Sequence, residues 1–125
     1  MCAAATPRIK GMSPLLIVTN LERSITYYQQ NLGFDLDFRY EDFYAGISRD
    51  GYSVHLKLGG PFSGERQNKP NNEDPEIIFS VDRIAELYEE LSGCSAEIVQ
   101  PLREMPYGKE FYVADPDGNV IAFVE

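Results

Sequence analysis

The chain has 125 residues, enough for one domain or for two small halves sharing a core. Eleven Lys and Arg stand against 20 Asp and Glu, a net charge of -9, which excludes the basic stripe of a nucleic-acid binder and is compatible with a cationic ligand. Two cysteines without a CxxC spacing argue against a disulfide framework or a structural zinc site. No apolar run is long enough to cross a bilayer, and the start lacks a secretory core, so a cytoplasmic protein is expected.

Residues 1–11, MCAAATPRIKG, read as a flexible arm ahead of a single domain at 12–125. Residues 14–18 form a short apolar run with branched side chains, the mark of a strand. A helix follows, with Leu21, Ile25, Tyr28 and Leu32 in one apolar stripe and Gly33 as its stop. Either Thr19 or Asn20 caps it; with Thr19, Glu22 closes a capping box. Residues 34–40 alternate strictly, large apolar against charged, and predict a half-buried strand. Strands at 43–48 and 52–58 flank the turn Arg49-Asp50-Gly51. In the second of these, Tyr52, Val54, Leu56 and Leu58 share one face, and Ser53, His55 and Lys57 the other.

Residues 59–74, rich in Gly, Pro, Asn and charge, read as a linker between one module at 12–58 and another at 75–125. The second module predicts a strand at 76–81, a helix capped by Asp82 with Ile84, Leu87, Tyr88 and Leu91 in its stripe, and a short strand at 96–100. A loop at 101–109, a strand at 110–114, the turn Asp115-Pro116-Asp117-Gly118 and a strand at 120–124 complete it. The halves superpose in sequence. A shift of 63 places Val18 on Val81, Leu21 on Ile84 and Ile25 on Tyr88, and a shift of 67 places Asp50-Gly51 on Asp117-Gly118. A β-α-β-β-β order that occurs twice is a repeat, not a coincidence of common units.

Three stretches carry a family resemblance: LLIVTNLERSITYYQQNLGF, FSVDRIAELYEEL and PYGKEFYVADPDGNVIAFVE. Together they make the chain similar to the vicinal oxygen chelate superfamily, which includes glyoxalase I, bleomycin-resistance proteins, fosfomycin-resistance enzymes and extradiol dioxygenases. The bleomycin-resistance branch is the most similar. The resemblance implies an α+β fold of two βαβββ modules, their curled mixed sheets set around a cleft and their helices on the convex side. It also implies a homodimer whose clefts draw on both chains.

Enzymes of that superfamily place metal ligands on the first and last strands of each half. The repeat puts those positions here at Ser13, His55, Glu76 and Ala122. A catalytic divalent metal wants about three protein ligands, and only His55 and Glu76 are of the right type. The same two residues, paired, could do acid–base work; Ser13 is a candidate nucleophile by position alone. The fold also sets Phe38, Tyr40, Tyr44, Tyr107 and Phe111 on the rim of the cleft, where aromatic rings stack planar or cationic ligands. The expectation is a metal-independent, cofactor-free protein that sequesters a small cationic or aromatic molecule in a dimer cleft, with Phe38, Tyr40, Tyr44, His55, Glu76, Tyr107 and Phe111 lining it. The alternative is a metal-dependent lyase, isomerase or dioxygenase using His55 and Glu76. No membrane or nucleic-acid partner is expected.

Overall fold

A computed structural model describes residues 6–59 and 74–125. Residues 1–5 of the expected arm and 60–73 of the expected linker lie outside the described residues. In chain order the elements are β1 (Leu15–Val18), α1 (Leu21–Gln30), β2 (Asp35–Tyr40), β3 (Tyr44–Arg49) and β4 (Tyr52–Leu58). After them come β5 (Ile77–Ser80), α2 (Ile84–Gly93), β6 (Glu97–Met105), β7 (Gly108–Ala114) and β8 (Val120–Val124). Two four-stranded sheets result, ordered β1-β4-β3-β2 and β5-β8-β7-β6, so the repeat holds at the level of topology. In each, the first strand pairs in parallel with the last, and the remaining pairs are antiparallel.

Strand alternation divides each sheet into a face packed on its helix and a face turned away from it. Leu16, Val18, Ala45, Ile47, Val54 and Leu56 are buried in the core with Leu21, Ile25 and Tyr28 of α1. Phe111, Val113, Ile121 and Phe123 join the same core beside Ile84 and Leu91 of α2. The helix-side layers of both modules are therefore one continuous core. Burying such side chains contributes about 1.5–3 kcal/mol each.

One open choice closes and three local expectations change. Asn20, not Thr19, caps α1: its side chain accepts from the Arg23 amide at 3.0 Å, while the Thr19 hydroxyl donates to Asp117 at 2.5 Å. Glu22 instead pairs with Arg39 at 2.8 Å. Asp82 does not cap α2. That helix begins at Arg83 in a left-handed conformation (φ 49°), and its first amides donate to the Glu125 carboxylate, Arg83 at 3.1 Å and Ile84 at 2.9 Å. The cause is the parallel β5–β8 pair, which carries residue 125 to the helix start.

The alternation of residues 34–40 breaks at a register shift between Leu36 and Phe38. Leu36 pairs with core-facing Ile47, whereas Phe38 and Tyr40 pair with Gly46 and Tyr44 on the other face. The single apolar face read from sequence is thus two faces joined by a bulge. Finally, β6 runs through Pro101 to Met105, where a loop was expected. Pro101 falls within a second shift, between Gln100↔Tyr112 and Arg103↔Glu110, where its missing N–H breaks no ladder bond. The hairpin closes through Pro106 and Tyr107, with Met105 opposite Gly108.

The Asp115–Asn119 turn locks one module to the other. Asp115 accepts from the amides of Asp117 and Asn119, both at 2.9 Å, from the Asn119 side chain at 2.9 Å and from the Tyr28 hydroxyl at 3.0 Å. Asp117 accepts from the Thr19 amide and hydroxyl, from Arg23 and from Ser24, all in the first module. Asn119 donates to the Ile17 carbonyl at 3.1 Å. Burial holds the Asp115 carboxyl above its usual range despite the donors around it, and burial beside Asp115 pushes the Tyr28 phenol well up.

Candidate functional site

On the first sheet, the face turned from α1 carries Phe38, Tyr40, Tyr44 and His55. Their places follow from register: Phe38 lies opposite Gly46, which is itself opposite His55, and Tyr40 lies opposite Tyr44. The Tyr44 hydroxyl and His55 Nδ1 are 2.9 Å apart. The Phe38 ring meets His55 edge-on at 5.3 Å and lies nearly parallel to Tyr44 at 6.2 Å. Tyr40 packs on Phe38 at 5.5 Å and is 60% exposed. Gly46 makes room for this cluster, since a Cβ there would sit 2.2 Å from the Phe38 ring. Below it, the Ser13 and Ser53 hydroxyls are 2.5 Å apart.

A cavity of about 550 Å³ sits at the first sheet's meeting with β5, and Met12, Ser13, Tyr52, Ser53, Glu76 and Ile78 are among its walls. Two of the four repeat-equivalent positions, Ser13 and Glu76, therefore share one space. The expected pairing of His55 with Glu76 does not form. His55 turns to Tyr44, and a Glu76 oxygen accepts from the Val120 amide.

On the second sheet, the face turned from α2 holds a polar network. Glu110, 2% exposed, accepts from the Tyr107 hydroxyl at 2.5 Å through Oε1. Its Oε2 accepts from Arg103 Nε at 2.8 Å and from the Tyr112 hydroxyl at 3.3 Å, and lies 2.6 Å from Arg103 Nη2 in an ion pair. Arg103 Nη1 donates to Gln100 at 3.1 Å, and the guanidinium carbon lies 5.7 Å from the Tyr112 ring centre. Burial alone would raise the Glu110 carboxyl; the bonds from Tyr107 and Arg103 outweigh it and hold the group below its usual range. The bond to Glu110 in turn raises Tyr107, and burial raises Tyr112.

Sequence reasoning missed Arg103, Glu110 and Tyr112. The signal was present: about the Pro106-Tyr107 turn, Arg103 stands opposite Glu110 and Glu104 opposite Lys109, two cross-strand pairs of opposite charge. Reading residues 101–109 as a loop hid it. Phe111, expected at the cleft rim, is 0% exposed in the core, stacked on Phe123 at 5.1 Å. Strand alternation puts it on the face opposite Glu110 and Tyr112.

The four repeat-equivalent positions do not compose a metal centre of the usual kind. Serine and alanine occupy two of them, and no group of three His, Cys, Asp or Glu among the described residues could hold a metal ion. No helix among the described residues is long and apolar enough to cross a membrane.

A sequence model described as the Glyoxalase/Bleomycin resistance protein/Dioxygenase superfamily matches residues 11–123. No curated protein matches the chain in sequence. Among solved structures, UcmS2 superposes with a TM-score of 0.78 at 18% identity, covering 94% of this chain and 98% of that one. The bleomycin-binding protein of bleomycin-producing Streptomyces verticillus, complexed with copper(II)-bleomycin, superposes at 0.73 with 23% identity, over 95% and 98%. The fosfomycin resistance protein FosX of Listeria monocytogenes, an E126Q mutant with Mn(II) and 1S,2S-dihydroxypropylphosphonic acid, superposes at 0.67 with 17% identity, over 94% and 90%. At these identities the likeness is one of fold.

Proposed function

Because this chain belongs to the Glyoxalase/Bleomycin resistance protein/Dioxygenase superfamily, we propose that it binds a small aromatic or cationic molecule and sequesters it without a metal and without covalent change. The observation that carries this reading is the aromatic cluster on the first sheet, where Phe38, Tyr44 and His55 pack in ring contact beside exposed Tyr40. Flat rings held by a backbone ladder give a stacking surface at little entropic cost. Glu76 in the neighbouring cavity and the net charge of -9 add attraction for a positive group.

In this reading the protein is a homodimer. Among the described residues, no hydrogen bond, ion pair or ring contact joins the Phe38–Tyr40–Tyr44–His55 cluster to the Arg103–Tyr107–Glu110–Tyr112 network. A second copy would close each cleft by setting the first-module face of one protomer against the second-module face of its partner, in a two-fold arrangement. Binding of copper(II)-bleomycin by the Streptomyces verticillus protein lends support to ligand capture on this fold. The mismatched donor set supports capture over metal-assisted chemistry.

The test joins metal content of the purified protein to melting temperature with Zn²⁺, Ni²⁺, Mn²⁺ and Fe²⁺. A ligand that binds only the native state raises the melting temperature by mass action. The expected result is no tightly held metal and no stabilisation. One ion per cleft, lost with its stabilisation in His55→Ala, overturns the reading in favour of a metal-dependent lyase, isomerase or dioxygenase.

A further inference from the structure

We infer that the second sheet carries a docking point for the oxygen end of a flat, conjugated ligand, formed by the Arg103 guanidinium and the Tyr107 ring. The inference rests on the reading that this face lines a ligand cleft, and it adds a chemistry that the aromatic cluster does not supply.

A guanidinium has five N–H donors. Arg103 gives one from Nε to Glu110 and one from Nη1 to Gln100, and its Nη2 is held against Glu110 in the ion pair. The Tyr112 hydroxyl is a further hydrogen-bond partner of the guanidinium, which leaves one of the five N–H without a partner among the described residues. The side chain is 34% exposed, so this end meets solvent. Glu110 and Gln100 fix the group in its plane, and Tyr112 lies under it. A planar guanidinium positioned in this way forms hydrogen bonds to carbonyl, phenolate or carboxylate oxygen, and its outer plane stacks on a π system.

Tyr107 completes the platform. It is 61% exposed, yet its hydroxyl is tied to Glu110 at 2.5 Å, so the ring cannot swing away. Glu110 sits behind the guanidinium and neutralises its charge. What this end offers is an N–H donor, so the face selects an oxygen acceptor over an ammonium group, which itself has only donors. The ligand class that results is a flat ring system with an oxygen acceptor at one end, its opposite end left for the Phe38–Tyr44 surface.

The test uses two probes with one ring and opposite charge, 2-naphthoate and naphthalen-2-ylmethylammonium, on the whole protein. Calorimetry gives the affinities, NMR of the arginine side-chain N–H groups and tyrosine rings gives the location, and sedimentation gives the oligomeric state. Naphthoate is expected to bind about tenfold more tightly than the ammonium probe and to shift Arg103, Tyr107 and Tyr112, with about a tenfold loss in Arg103→Lys, which keeps the charge but not the fork. If Arg103→Lys does not fold, the shifts in the wild-type protein decide alone. Equal or tighter binding of the ammonium probe, or naphthoate shifts confined to Phe38, Tyr44 and His55, overturns the inference while leaving the proposed capture in place. Naphthoate at Arg103 of a protein that sediments as a monomer keeps the inference and removes the shared cleft. No binding of either probe removes both.

Discussion

The turns Asp50-Gly51 and Asp117-Gly118 occupy equivalent places in the two modules, and they do different work. The first closes the β3–β4 hairpin in solvent: the Asp50 side chain is 86% exposed, and its nearest cation, Arg49, is 3.7 Å away. The second is buried, with the Asp117 side chain 3% exposed and bonded across the module junction. Both glycines adopt positive φ, 87° at Gly51 and 81° at Gly118, so the backbone demand of the repeat is the same in each half. The lesson is that a repeat conserves the path of the chain, while burial decides what a repeated side chain is for.

Removing the carboxylate that holds the buried turn together is expected to have the largest effect. Asp115→Ala strips four hydrogen bonds from buried donors and should cost about 3–4 kcal/mol, read by urea unfolding. The same substitution made at both equivalent positions sharpens the contrast. Asp117→Asn places an amide against the Thr19 and Ser24 hydroxyls and Arg23 and should cost about 2 kcal/mol. Asp50→Asn keeps a residue tolerant of the left-handed conformation in solvent and should stay within about 0.5 kcal/mol. Equal costs at 50 and 117 would break the comparison.

A smaller effect separates the two helices. α1 is capped locally by Asn20, α2 remotely by Glu125, whose carboxyl the Ile84 and Arg83 amides hold below the usual range. A depressed carboxyl adds stability above its unfolded value and loses it as pH falls through the folded one. Glu125→Gln should therefore lower the melting temperature at neutral pH, and the gap to wild type should close as the solution is made acidic. A gap that persists at low pH would sink the capping role. Asp115 runs the other way: its raised carboxyl contributes below the usual carboxylate range and loses that contribution as pH rises.

What was legible in the sequence follows from which interactions are local. The apolar stripe of α1, the Gly33 stop and both Asp-Gly turns depend on neighbours in the chain, and the structure places them as read. The repeat extended this to topology, because two copies of one order imply two copies of one sheet. Caps and bulges were less legible. Glu125 reaches α2 across 41 residues, and Thr19 is drawn from its helix to Asp117 across 98. The bulge at Asp37 left no mark in an alternating sequence, yet it turned Phe38 and Tyr40 away from the core and so created the aromatic face. On the second sheet the opposite happened. Period-two reading of β7 separates Phe111 from Glu110 and Tyr112, and the alternation was overlooked in favour of aromatic character.

The Asp115–Asn119 turn also bears on the order of events during synthesis. Residues 115–125 supply β8, which lies between β5 and β7, together with the bonds that dock the modules and the carboxylate that caps α2. On the ribosome the first module can pair its own strands long before these residues emerge. The second module can form only its β6–β7 hairpin and an uncapped helix until then. Contacts spanning nearly the whole chain are slow to close, and apolar surface stays uncovered while they wait. Residues 115–125 therefore act as a latch, and an arrest just short of them leaves a half-assembled molecule with its shared core open to other chains.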